Sequence, residues 1–399
     1  MSSAPTSGLQ SDGIGRAFRF LLIATIAFLT LVDLFATQVI IPSLTLRYNV
    51  SPAAMGSAVS ACTFGMAAAS LLVALFSDRI DRRLGIVASL LVLAIPTTLL
   101  AWAPDVASFA ALRVVQGLCM ATAFSLTLAY LGERMTGSAA ASAFAAYVTG
   151  NVASNLIGRF VSSGVAGEWG INASFFVFAA LNIAGAVLVA LTIHKSPKMK
   201  LGMDHARSPL TAVTTHLRNP ALRAGFAFGF CILFVFIAVF TYVNFELGSG
   251  GFGLSMMHLG TVYFVFLPSI FTTPQAGRFA GWLGLRNAVW AGLAIAIVGT
   301  ALLALNSLTA VLTGMCLVAV GTFLAQALAT GFVSRAAKGD RAAASGLYLA
   351  SYFSGGLVGA IALGQIYMNF GWHAMLAAVA SVLVFAAYLA RAFKLPDAA

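Results

Sequence analysis

Apolar residues fill stretches of about 20 positions, the length a helix needs to cross a bilayer core. Short polar connections separate these stretches. Phe18 to Ile41 and Leu84 to Trp102 are two of the runs. About twelve segments reach the required length: near 17–41, 52–76, 84–102, 106–131, 138–165, 171–193, 221–246, 255–276, 285–304, 307–333, 342–366 and 371–392. A membrane-spanning barrel would show apolar and polar residues in alternation; these runs are nearly continuous. The pattern predicts an all-α polytopic membrane protein. Its longest polar interval, His194 to Pro220, falls between spans six and seven. The expected layout is a disordered tail over 1–16, a six-helix bundle over 17–193, a linker over 194–220, a second six-helix bundle over 221–393 and a short tail over 394–399.

Composition agrees with lipid as the solvent. Charged residues make up 8% of the chain, against roughly 25% for a soluble protein. The formal net charge of +11 would suit a nucleic-acid partner, but its distribution points elsewhere. Placing the polar connections alternately on two sides puts 19 of the 22 Lys and Arg residues on one side. Among them are Arg16 and Arg19, the Arg79–Arg83 loop, the central interval, and Arg391 with Lys394. Only Arg47 sits in a connection on the other side, while Arg113 and Arg159 lie within spans. Cytoplasmic loops collect basic residues, so both termini and the linker are expected in the cytoplasm of a bacterial-type inner membrane. The basic excess is topological, with the bilayer rather than nucleic acid as partner. The first apolar run is long for a signal-peptide core and has no A-x-A exit, so it reads as a retained span. The four cysteines all lie in apolar runs without metal-ligand spacing and read as small buried hydrophobes.

The two halves resemble each other at an offset near 201 residues. Tyr147 to Gly158 reads YVTGNVASNLIG, and Tyr348 to Gly359 reads YLASYFSGGLVG. Gly170-Ile171-Asn172-Ala173 parallels Gly371-Trp372-His373-Ala374. Two sets of six spans in the same orientation form a parallel repeat about an axis along the membrane normal. Such a duplication places a cavity between the halves, with access alternating as they rock.

On this frame two motifs carry a family resemblance. Ser77-Asp78-Arg79-Ile80-Asp81-Arg82-Arg83, between spans two and three, resembles the G-x-x-x-D-R-x-G-R-R/K loop of the major facilitator superfamily. Arg113-Val114-Val115-Gln116-Gly117 resembles that family's R-x-x-Q-G motif on helix four. The stretch Gly150-Asn151 to Gly158-Arg159 is similar to a bacterial drug-efflux-type branch associated with acriflavine sensitivity. The loop departs from the pattern at Ala74 and Asp81, and the matching loop of the second half has Gly281 at the acidic position. The resemblance implies a secondary transporter, a monomer by default. It also implies a gating loop formed by Asp78, Arg79, Arg82 and Arg83, with Asp78 capping or bridging a neighbouring helix end.

Ionisable groups inside the membrane are costly and mark function by default. Asp33 is the one acidic residue deep in the first-half spans, with Arg113 and Arg159 at a similar depth. In the resembled fold, helices one, four and five lie near the cavity, which would let the three meet. Asp33 then reads as a proton-coupling carboxylate tuned by Arg113, to which the resemblance gives a proton-relay or substrate role. The alternative is an ion pair that pins three helices together. Two arginines to one aspartate also suit an anionic substrate. Gln38, Gln116, Tyr147, Asn151, Asn155, Arg159, Tyr242, Asn244, Gln326, Tyr348 and Tyr352 are the polar residues expected to line a cavity. Glu246 reads as interfacial, and the glycines of span eleven as close packing.

The histidines have no metal-site spacing. The phosphate-binding G-x-x-x-x-G-K-[ST] and the hydrolase and metalloprotease signatures are missing, so no cofactor, ATP drive or enzymatic activity is expected. The leading expectation is proton-coupled efflux of small organic compounds, with protons and a small molecule as partners. Export or import of a polar or anionic metabolite, such as a sugar or organic acid, is the alternative.

Overall fold

The structure is a computed structural model that describes residues 8–76, 80–134, 137–193, 209–249, 252–337 and 341–393. The first half comprises α1 (Gly8–Val39), a short α2 (Ile41–Tyr48), α3 (Pro52–Phe76), α4 (Arg82–Leu99), α5 (Val106–Arg134), α6 (Gly137–Trp169) and α7 (Ile171–Thr192). A short α8 (Pro209–Arg218) follows. The second half holds α9 (Pro220–Ser249), α10 (Met256–Val262), α11 (Leu267–Thr272), α12 (Ala276–Leu283), α13 (Leu285–Leu302), α14 (Leu308–Ala336) and α15 (Arg341–Leu389).

Nine helices among the described residues are long and apolar enough to cross a membrane. Three features extend them to the twelve crossings the hydropathy pattern predicts. The 33-residue α6 is richer in Ser, Asn and Gly than the rest. The 49-residue α15 is two crossings merged at Gly371, whose φ of 81° is not helical. Met256 to Leu283 is one crossing broken into α10, α11 and α12 by two 3-10 turns. Pro268 and Pro274 stand at the breaks; proline removes an N–H donor and clashes with the preceding turn. Span boundaries shift modestly: α6 runs on to Trp169, and the first crossing ends at Val39 instead of Ile41.

The duplication recurs in three dimensions. Gly170 and Gly371, at matching places, both take positive φ, 86° and 81°, where a side chain would be strained. In the first half, Gly150 of α6 packs on the Ala24 carbonyl of α1. In the second, Ser351 of α15 donates to the Phe226 carbonyl of α9 at 2.9 Å, and Gly359 packs on the Phe234 carbonyl. Small residues let backbones approach where lipid supplies no hydrophobic drive between helices. The tightest such crossing joins α3 to α5, with Gly117 on the Cys62 carbonyl and Gly65 on the Val114 carbonyl. A Cβ at either glycine enters the facing backbone. Gly117→Val is therefore expected to destabilise the fold by about 1–3 kcal/mol or more, read as a lower thermal midpoint in detergent.

The halves meet along α3 and α15. Gly346 packs against Ala74 and the Ser70 carbonyl at one end, and Gly364 against Ala53 and Tyr242 at the other. Large apolar side chains remain exposed around the bundle, among them Leu191, Phe271 and Phe370. The exposed Trp102, Trp169 and Trp282 stand at helix ends, as expected of residues that prefer the membrane interface.

The connections are tied down by polar contacts. Asp81 caps α4 by accepting from the Leu84 N–H at 2.8 Å. Arg83 donates to the Ala190 carbonyl near the end of α7, where the helix dipole favours a cation. Arg82 is buried. Asp78 and Arg79, the other half of the expected gating loop, lie outside the described residues. At the opposite end, Arg47 donates to Asn172 at 2.6 Å and to the Ala101 carbonyl at 2.9 Å.

Candidate functional site

The three ionisable residues expected to meet form two separate clusters. An α-helix turns about 100° per residue, so Asp33 and Gln38, five positions apart on α1, point about 140° apart around its axis. Asp33 faces into the first bundle and Gln38 faces the second.

The first cluster is sealed within the first half. Asp33 is 2% exposed and Arg113 is fully buried. Asp33 Oδ1 accepts from Thr97 Oγ1 of α4 at 3.2 Å and from Gln116 Nε2 of α5 at 3.4 Å. Gln116 Nε2 also donates to Thr97 Oγ1 at 2.7 Å, as Asn182 of α7 does at 3.3 Å. Arg113 does not reach the carboxylate by a hydrogen bond. Its Nη1 donates to the Asp33 carbonyl at 3.2 Å and to Gln116 Oε1 at 2.7 Å. Its Nε donates to the Val59 carbonyl at 2.9 Å, and its Nη2 to Cys62 Sγ at 3.0 Å. Arg113 thus ties α5 to α1 and α3, and it reaches the carboxylate only through Gln116. Asp33 Oδ2 and Asn182 Oδ1 are buried without a donor, and Asn182 lies against the carboxyl group.

The second cluster spans the two halves. Arg159 of α6 is fully buried, ten positions before Trp169, or about 15 Å along the helix. That is roughly half the depth of a bilayer core of about 30 Å. Its Nη2 donates to Gln38 Oε1. Its guanidinium lies 4.3 Å from the Tyr263 ring centroid, 5.1 Å from Phe266, 5.4 Å from Phe240 and 5.5 Å from Phe35. Three of these rings come from the second half. Asn244 of α9 donates to the Gln38 carbonyl at 3.2 Å and accepts from the Tyr263 hydroxyl at 2.5 Å. Tyr263 and Phe266 lie in the 3-10 turn that follows α10. Side chains three apart eclipse in such a turn, and the two rings stack 5.9 Å apart at 5°. The proline-broken crossing thereby presents both rings to the arginine.

The remaining expected cavity residues are dispersed. Tyr147 donates to the Phe124 carbonyl at 3.0 Å, and Phe124 meets Phe353 of the other half edge-on at 6.5 Å. Asn155 donates to the Asn151 carbonyl at 3.3 Å, and both side-chain carbonyls lack donors. Tyr348 and Tyr352 stack at 6.1 Å on α15. Gln326 is half-buried on α14. Tyr242 donates to the Ala360 carbonyl at 2.7 Å and stacks on Tyr367, whose hydroxyl donates to Glu246 at 2.9 Å.

Thr97, Asn182 and Tyr263 joined the clusters without being singled out in the sequence. Asn182 was detectable as an amide in an apolar run; Thr97 and Tyr263 carried no such signal.

The profile of the Major Facilitator Superfamily matches residues 23–337. An uncharacterized MFS-type transporter of Bacillus subtilis, YybF, is 27% identical over 383 residues, which cover 93% of each chain. The inner membrane transport protein YnfM of Escherichia coli is 23% identical over 398 residues, covering 97% of this chain and 95% of its own. A bacterial homologue of the human lysosomal transporter Spinster, solved in an inward-facing, unoccupied conformation, superposes with a TM-score of 0.78 at 16% identity. That superposition covers 96% of this chain and 99% of the other. Two bundles of six crossings, a buried carboxylate in the first and a polar seam between them belong to a membrane transporter rather than an enzyme, and the chain is a member of the major facilitator superfamily.

Proposed function

We propose that this secondary transporter exchanges protons for a small organic solute by alternating access, with proton entry driving solute export. The observation that carries the proton is the pair of orphaned acceptors at Asp33. A buried acceptor without a donor is costly, and Asp33 Oδ2 and Asn182 Oδ1 both lack one in the same cluster. A proton on Asp33 turns its unsatisfied acceptor into a donor and cancels a charge held in low dielectric. Arg113 positions the group from behind, through the Asp33 carbonyl and Gln116. Helix α1 carries both Asp33 and Gln38, so proton release in the first cluster is transmitted to the seam at Arg159. The drug-efflux-type motif on α6 and an interior rich in phenylalanine support an amphipathic solute. The distribution of Lys and Arg supports cytoplasmic termini in a bacterial inner membrane, and the bond from Arg83 to the Ala190 carbonyl of α7 supports a gating role for its loop.

The test is ΔpH collapse in energised everted vesicles on adding acridine dyes, lipophilic cations, sugars and organic acids. Collapse with at least one compound class is expected, and only in vesicles that contain the protein. Counterflow of a solute without any ΔpH change would remove the proton from the mechanism.

A further inference from the structure

Arg159 is a charge whose surroundings only partly satisfy it. Its Nη2 is bonded to Gln38, but Nε and Nη1 are buried without an acceptor. Four aromatic faces surround it; they favour a cation but accept no conventional N–H bond. Among the described residues no carboxylate pairs with it. Asp33 faces the other side of α1 and is engaged by Thr97 and Gln116. A buried, unpaired charge is strongly destabilising, and a guanidinium fork matches a carboxylate in two parallel bonds. The site is at mid-depth, at the seam between the halves and beside a discontinuous helix, the arrangement that forms substrate sites in transporters.

We propose that Arg159 is the anion-binding residue of the transport site, and that the solute carries a carboxylate on a planar apolar body. The carboxylate takes the free edge of the guanidinium. The body lies among Phe35, Phe240, Tyr263 and Phe266, with the Gln38 and Asn244 amides at its polar margin. This assignment rests on the transporter reading but not on its proton step.

The test measures equilibrium binding to purified protein, without transport. Benzoate, cinnamate and 1-naphthoate are each titrated beside the corresponding neutral amide. At least one acid is expected to bind about ten-fold or more tightly than its amide, the equivalent of one lost charge-assisted bond. Arg159→Gln should remove that preference. Gln38→Glu, which keeps the arginine and gives it an internal carboxylate, should fold at least as stably and also lose acid binding. The assay uses no proton gradient and no transport, so failure of proton coupling leaves this result untouched. Equal binding of acids and amides by the wild type, no acid binding at all, or unchanged acid preference in Gln38→Glu would overturn the proposal.

Discussion

Asp33→Asn is expected to lower ΔpH-driven transport to the level of vesicles without the protein, while solute exchange across a de-energised membrane continues. Asparagine cannot ionise, so no proton is exchanged for the solute. It is nevertheless a close geometric match for the protonated acid. Its Oδ1 still accepts from Thr97 and Gln116, which lie 3.2 Å and 3.4 Å from the carboxylate oxygen. Its Nδ2 takes the place of Asp33 Oδ2, a buried acceptor that has no hydrogen-bond partner. The variant should therefore fold with an unchanged or higher thermal midpoint. Exchange by the wild type should vary with pH, and exchange by the variant should not. Concentration of the solute by Asp33→Asn vesicles, driven by ΔpH alone, would move the proton site to another residue.

Arg113→Leu is expected to cost about 3–5 kcal/mol of stability, the range for removing one partner from a buried charged network. The side chain is fully buried and bonds the Val59 carbonyl, the Asp33 carbonyl, Gln116 and Cys62. Leucine leaves Gln116 Oε1 unsatisfied and releases α5 from α1 and α3 together. Arg113→Lys should fall between the two. An ammonium keeps the charge but is a point donor on a flexible stem, and it cannot span partners on three helices as a planar fork does. The measurement is reversible unfolding in mixed micelles, followed by helical signal. If Arg113→Leu unfolds at the wild-type denaturant concentration, the role of Arg113 as a pin is wrong. If Arg113→Lys retains the fold and loses only ΔpH-driven transport, its contribution to proton movement is separated from its packing.

The two halves of the duplication have diverged in chemistry more than in packing. At the repeat offset, Phe234 stands where the first half has Asp33, and Gly314 where it has Arg113. The glycine contacts between α1 and α6 are kept between α9 and α15. The buried carboxylate therefore belongs to one bundle, and the other contributes aromatic faces to the seam.

The sequence alone determined the crossings, the repeat and the distribution of charge. Lipid imposes its demands residue by residue: an apolar surface and backbone polar groups satisfied within each helix. Both are written locally, as were Gly170 and Gly371 at their turns. It also singled out Asp33, Arg113, Gln116 and Arg159, because a polar group in an apolar run is visible without knowing its neighbours. It placed all three ionisable residues near one another by depth, and depth was not enough. Which of them meet depends on how each helix is rotated about its axis and which helix it faces. Only the tertiary structure decided that Arg113 holds the Asp33 backbone, that Gln116 belongs to the carboxylate and that Arg159 turns to rings from the other half. Its ring partners Phe240, Tyr263 and Phe266 lie 81 to 107 positions away in the chain, and no local pattern encodes a contact made across that separation.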